Sequence, residues 1–242
     1  MSIDVLQAIA QAQASWQPPQ VPEDIPQGDM PGDKVWIGPQ SIEKANVAFR
    51  AALPMLQEAL KANPAHKAVI AVTGGSGVMK TCVSALFTYY LKELGIGAYT
   101  LSGDNYPWRI PVQNDAERMR IFRMGGVEGM LAQGVYNPEN AAILKELQLA
   151  DLDSEPKKRE EYPWLAAYQS AGREALSGYL GTELEQNYAK LESVLAQFKA
   201  GQEKIWLRRL GNEDTDLWYD EKDFSQISVL VLELSLIHIS EP

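Results

Sequence analysis

Ala68-Val-Ile-Ala-Val-Thr-Gly-Gly-Ser-Gly-Val-Met-Lys-Thr81 changes character twice. Its first residues, Ala68 to Val72, are β-branched and apolar and read as a buried strand. A glycine-rich turn follows. Lys80-Thr81 then opens an apolar-periodic segment that reads as a helix to about Leu94. Strand, glycine turn, Lys-Thr, helix is a phosphate-binding layout, the P-loop. Glycines let backbone N–H groups wrap phosphate oxygens, and the helix N-terminus adds partial positive charge. The lysine reaches the outer phosphates and the threonine hydroxyl ligates magnesium. The candidate nucleotide-binding residues are therefore Gly74, Gly75, Ser76, Gly77, Val78, Met79, Lys80 and Thr81.

The pattern G-x-x-x-x-G-K-[ST] starts at Gly74 and ends at Lys80-Thr81, but its second glycine falls on Met79. Glycine is wanted there because the backbone approaches the β-phosphate with no Cβ in the way. Methionine is expected to crowd the phosphate or force the loop open. The bland alternative is a plain glycine turn between strand and helix.

At 242 residues, with 45% hydrophobic residues, the chain can bury one sizeable core or two small ones. A formal charge of −10 advertises no basic face, which argues against non-specific nucleic-acid binding. Cys82 is the one cysteine, so no internal disulfide can form, and no signal peptide is visible; a reducing cytoplasmic setting is expected. No apolar run reaches the roughly 18 residues of a membrane span.

Residues 1–66 read as an N-terminal arm. It has a short amphipathic helix over 3–15, a Pro/Gly-rich stretch from Trp16 to Pro39 with Val35-Trp36-Ile37 as a short strand, and a helix across Ile42 to Ala62. Ser41 is the expected N-cap of that helix, and a kink is expected near Pro54. The arm packs on the domain or on a second subunit, so a homodimer is considered. After the P-loop helix, Ala98 to Ser102 reads as a second strand delivering Gly103-Asp104-Asn105-Tyr106-Pro107-Trp108-Arg109. Ligand crevices of parallel sheets lie at the carboxyl ends of strands. Asp104 there is a candidate general base or magnesium organiser, and Asn105, Tyr106 and Arg109 are candidate acceptor contacts. The alternative for Asp104 is a turn aspartate capping its own loop.

A helix is expected to open at Asn114, with Arg118, Arg120 and Arg123 on it. These arginines fit either an anionic acceptor or surface ion pairs with Asp115 and Glu117. Helical patterns then run over Pro138 to Ala150, Tyr162 to Leu180, and Thr182 to Ala200, where Thr182 and Glu185 suggest a capping box. Asp151 to Glu161 reads as a solvated connector. The helical insertion at 125–200 would serve as an acceptor lid or dimer surface. Glu203 to Leu210 is a strand candidate, 212–223 a polar turn region, and Ile227 to Glu233 a buried strand ending in a carboxylate. Glu233 stands where magnesium would be organised.

This layout resembles the P-loop small-molecule kinases, the group of uridine kinase, phosphoribulokinase and adenylylsulfate kinase. The likeness rests on Gly74 to Thr81, on Leu101-Ser-Gly-Asp104-Asn105-Tyr106 and on Leu230-Val-Leu-Glu233. It implies ATP and Mg2+ as cofactors, Lys80 and Asp104 as catalytic residues, Thr81 and Glu233 on the metal, and a hydroxyl of a small, anionic metabolite as acceptor. Gly103-Asp104-Asn105 with Arg109 leans toward adenylylsulfate kinases, whereas the long helical insertion departs from them. The expected fold is α/β, a three-layer P-loop type with a mostly parallel sheet over 67–233, the C-terminal strands missing. The alternative function is a non-catalytic nucleotide-binding or interaction module with a degenerate P-loop. Residues 234–242, Leu-Ser-Leu-Ile-His-Ile-Ser-Glu-Pro, read like the in-frame translation of a sequencing-library adapter, an artefactual tail to be set aside.

Overall fold

A computed structural model describes residues 4–29, 32–74, 77–211, 213 and 216–235, the Ser235 side chain excepted. In chain order the elements are α1 (Val5–Ser15), β1 (Asp24–Pro26), β2 (Lys34–Trp36), α2 (Pro39–Ala62), β3 (Ala68–Gly74), α3 (Lys80–Glu93), β4 (Ala98–Ser102), a 3-10 turn (Gly103–Asn105), α4 (Pro111–Ala132), α5 (Pro138–Leu149), α6 (Lys158–Glu161), α7 (Leu165–Ser177), α8 (Tyr188–Lys199), β5 (Lys204–Leu210), β6 (Leu217–Asp223) and β7 (Val229–Ser235). The fold is α/β with a parallel sheet. None of the described helices is long and apolar enough to cross a membrane.

The chain forms two compact units. The first holds the described residues of Met1–Tyr106, Tyr188–Leu210 and Leu217–Leu236. Its centre is a three-stranded parallel sheet in the order β3-β7-β4. β7 is a continuous apolar run because both its faces are covered. Successive side chains of a strand point to opposite faces. Val229 and Val231 accordingly join Phe49, Leu53, Leu86 and Leu91 from α2 and α3. Leu230 and Leu232 join Leu101, Phe198, Ile205 and Leu207 on the other side. Two antiparallel pairs, β1-β2 and β5-β6, complete the unit.

The second unit holds Pro107–Asn187 and the described residues of Gly211–Asp216. Its core gathers Phe122, Met130, Leu144, Leu147, Leu165 and Tyr168. Helices α4 and α7 approach closely because α4 offers glycines to α7. A Cβ on Gly129 would stand 2.1 Å from that of Ala171, and one on Gly126 2.5 Å from the Tyr168 ring.

Several boundaries move from their sequence reading. α2 starts at Pro39 on Gly38, with no side-chain cap, and runs through Pro54 without a break. Asn114 lies inside α4, whose N-cap is Ile110. Thr182 opens no helix: α8 begins at Tyr188. Glu185 is fully buried and accepts from Gly181 N–H (2.7 Å), Asn114 Nδ2 (2.9 Å) and Arg118 Nε (2.6 Å). A carboxylate gathering three donors satisfies a loop and a helix together, so its capping-box spacing is coincidental. The region 212–223 is not all turn, since Leu217-Trp218-Tyr219 belongs to β6. Charged residues on its solvent side hid the strand pattern. The Asp151 to Glu161 connector is only partly solvated: Asp153 is buried and takes Arg123 Nη2 (3.0 Å) and Tyr168 Oη (2.7 Å).

Candidate active site

Parallel register carries the ends of β3, β7 and β4 to one level. Glu233 of β7 stands opposite Val72 of β3 and Ser102 of β4. The chain leaves β3 at Gly74, where a Cβ would meet Val78 Cγ2 at 2.9 Å. Gly75 and Ser76 lie outside the described residues. Gly77 takes φ +75°, and Val78 is half exposed.

Met79, the departure from the glycine pattern, takes φ 68° and ψ 27° at the N-cap of α3. That is the left-handed region glycine enters freely and other residues enter at a cost of about 1–2 kcal/mol. Its thioether lies 3.2 Å from Ser41 Oγ at the start of α2. Met79 therefore takes the backbone conformation that suits a glycine, and its long side chain has a partner on α2.

Lys80 and Thr81 begin α3, and Lys80 is buried. Thr81 Oγ1 donates to Glu233 Oε1 at 2.5 Å. Glu233 is 6% exposed. Burial pushes its carboxyl above the usual glutamate range and Asp104 pushes the same way, while the Thr81 hydrogen bond and Lys80 oppose them. One lysine, one hydroxyl and two carboxylates thus meet at the strand ends, although 23 residues separate Thr81 from Asp104 and 152 separate it from Glu233. The donors suit magnesium, a hard cation that takes oxygen ligands and is held by one or two carboxylates plus substrate phosphates. A cation there would favour the ionised form of Glu233 against its burial and would offset the neighbouring Asp104 charge.

Asp104 sits in the 3-10 turn, and its backbone N–H donates to Ser102 Oγ (3.3 Å). Asn105 is buried and committed: its Nδ2 donates to Asp29 Oδ2 (3.0 Å) and its Oδ1 accepts from Leu210 N–H (3.3 Å). Tyr106 is 1% exposed, and its hydroxyl proton has no acceptor among the described residues. Arg109 belongs to the second unit, where it donates to Tyr179 Oη (3.0 Å) and lies 3.8 Å from Glu117. The arginines of α4 are all ion-paired, Arg118 and Arg120 with the expected Asp115 and Glu117 and the rest with acids outside the helix. Arg118 holds Glu185 and Asp115, Arg120 holds Glu117, and Arg123 holds Asp151 and Asp153.

Sequence reasoning missed Asp29. It is 1% exposed and accepts from Ser102 N–H (3.0 Å), Asn105 Nδ2, the Tyr99 hydroxyl and Arg209 Nη1 (2.6 Å). Burial and the neighbouring Asp29 push the Tyr99 phenol well above its usual range. Arg209 donates onward to Asp220 at 3.3 Å. Asp29 therefore brackets Gly103-Asp104 from both sides. Its sequence signal was only an acid in a Pro/Gly-rich arm, and its partners lie 70 to 180 residues away.

Over 171 residues, 71% of this chain, the sequence is 34% identical to a bifunctional alpha-galactosidase/sucrose kinase, AgaSK, of Mediterraneibacter gnavus. The chain spans 13% of that protein's length. No protein-family profile matches the chain. No solved structure matches it.

Proposed function

We propose that this chain is the phosphate-binding part of a P-loop kinase that transfers a phosphoryl group from Mg-ATP to a hydroxyl of a sugar. The observation that carries the reading is the Thr81–Glu233 hydrogen bond. It joins the start of the glycine-loop helix to a carboxylate near the C-terminal end of the central strand, the two places a P-loop site needs together. The sugar acceptor comes from the likeness to a protein described as a sucrose kinase. It replaces the adenylylsulfate-like or uridine-like acceptor of the sequence reading.

In this reading Lys80 and the backbone N–H groups around Gly74 to Met79 hold the phosphates. Thr81 and Glu233 would hold magnesium, which would neutralise charge on the phosphate oxygens. Asp104 accepts the proton of the sugar hydroxyl as its oxygen bonds to the γ-phosphorus and the bond from phosphorus to ADP breaks. Most of the rate then comes from positioning and charge, with little covalent chemistry asked of the protein. The sheet, with apolar clusters on both faces, fits the three-layer P-loop architecture.

Calorimetry with Mg-ATP on this chain and on Lys80→Ala tests the site, and ADP release with and without sucrose tests the acceptor. Binding lost in Lys80→Ala, with sucrose-dependent ADP release, is expected. Binding unaffected by Lys80→Ala would remove the basis of the reading. A second reading, a nucleotide-binding module without turnover, is favoured by Met79 at the glycine position. It predicts the same binding and no sucrose-dependent ADP release.

A further inference from the structure

Alternation along β5 puts Lys204, Trp206, Arg208 and Leu210 on one face, across from Asp223, Glu221, Tyr219 and Leu217 of β6. Arg208 is 6% exposed. An arginine stays charged in any protein setting, so a buried guanidinium is stable only beside compensating negative charge or acceptors. Its neighbours supply none. Asp29 and Asp220 are taken by Arg209, Glu221 pairs with Lys204 at 3.2 Å, and Asp223 accepts from Ser225 N–H. The guanidinium itself makes no ion pair or hydrogen bond among the described residues, yet none of its nitrogens is sealed from solvent. Burial pushes the group below the usual arginine range, with the phenols Tyr219 and Tyr106 acting weakly against it.

A second observation points to the same place. Tyr106 is buried, the Arg208 backbone N–H approaches its hydroxyl oxygen, and its hydroxyl proton has no acceptor among the described residues. Buried hydroxyls are ordinarily hydrogen-bonded. Lys190 adds a cation 5.2 Å from the centre of the Tyr219 ring. Trp206 and Tyr219, 55% and 45% exposed, lie on the same face of the β5-β6 pair as the arginine and offer aromatic surface against which a sugar ring can pack. Leu210 N–H, two residues along β5, bonds Asn105, the neighbour of Asp104.

We propose that Arg208, with the Tyr106 hydroxyl, is an anion subsite for the phosphate monoester of a sugar phosphate whose ring lies along Trp206 and Tyr219. The proposal rests on the sugar-kinase reading for its ligand class. A phosphate monoester matches the planar fork of a guanidinium in two parallel hydrogen bonds and takes a third from the phenol. The ester can reach the site from an acceptor that already carries phosphate or as the phosphorylated product.

The test is calorimetry without nucleotide, titrating inorganic phosphate, glucose 6-phosphate and glucose into the full chain and into Arg208→Met, Arg208→Lys and Tyr106→Phe. Glucose 6-phosphate is expected to bind at least tenfold more weakly to Arg208→Met and to an intermediate degree to Arg208→Lys and Tyr106→Phe. Glucose is expected to bind all four chains alike. Equal affinity of glucose 6-phosphate for the unchanged chain and Arg208→Met overturns the proposal, as does no binding to the folded, unchanged chain. Equal losses for glucose and its phosphate also overturn it, because they mark a structural role. Should Arg208→Met fail to fold by circular dichroism, the other two variants decide. A parallel Mg-ATP titration separates the two readings. Mg-ATP bound without glucose 6-phosphate sinks the subsite alone, and the reverse sinks the kinase alone. With Mg-ATP present, ADP release on glucose 6-phosphate identifies the acceptor source, and inhibition of sucrose-dependent release identifies the product source.

Discussion

Glu233 carries a conflict between stability and chemistry. Folding raises its pKa, so the folded chain holds that proton more tightly than the unfolded chain does. The contribution to stability is complete below the unfolded carboxylate pKa and is lost as pH rises through the raised folded value. At neutral pH the ionised side chain is then a fixed cost. Glu233→Gln is expected to raise the thermal midpoint of the free chain at pH 7 by a few degrees, about 1 kcal/mol, and to flatten its slope in mildly acid solution. The same variant should lose magnesium-dependent nucleotide binding. Thermal melts at pH 5 and pH 7, with and without Mg-ATP, check both outcomes, and a lower midpoint at pH 7 would contradict the first. Met79→Gly is the complementary case. It removes a left-handed strain of about 1–2 kcal/mol, loses the Ser41 contact, and should tighten Mg-ATP binding severalfold by calorimetry.

Elements are tied to this site by one buried acid. Asp29 holds the end of β4, the Asn105 side chain and Arg209 of β5. Asp29→Ala leaves the Arg209 charge buried beside a single remaining acid, Asp220, which is half exposed. A destabilisation of about 3–5 kcal/mol is expected, measured by urea unfolding. Asp29→Ala with Arg209→Met should recover much of that stability without recovering kcat, because Asp104 has lost its bracket. Full recovery of kcat in the double variant would show that Asp29 acts on stability alone. In the second unit, Gly129→Leu would drive a side chain into Ala171 of α7. Overpacking of this kind costs about 1–3 kcal/mol, again read from urea midpoints.

At the scale of the molecule, the second unit has its own core, and the ends of its long segment are joined. Pro107 pairs with Gln186 as a β-bridge, and Trp108 N–H donates to Glu185 carbonyl oxygen at 2.9 Å. Replacing 107–187 by a short Gly/Ser linker is expected to leave the sheet of the first unit folded, with Mg-ATP bound at an affinity near that of the full chain. Nucleotide at a hundred times its Kd should stabilise the full chain by about 2.7 kcal/mol. Circular dichroism and calorimetry on the linker variant check the first outcome. Loss of the cooperative transition would show that the first unit depends on the second.

The sequence by itself determined the parts whose cause is local. Apolar runs became β3 and β7, Lys80-Thr81 opened α3, and Gly103-Asp104-Asn105 became a turn after β4. The start of α2 lies two residues before the expected cap because Pro39 occupies the first helical position, and Thr182 takes Leu184 N–H in a loop rather than opening α8. Only the tertiary structure decided which distant groups meet. The placement of β7 between β3 and β4 joins Thr81 to Glu233, the arm's Asp29 reaches the turn beside Asp104, and α4's arginines are spent on Glu185 and Asp153. Those pairings arise from strand order and burial, which bring together charges too far apart in the chain for any local pattern to record them. The same cause left Arg208 invisible in the sequence: its distinction is that no acid pairs with it among the described residues, and that follows from where the neighbouring acids are already committed.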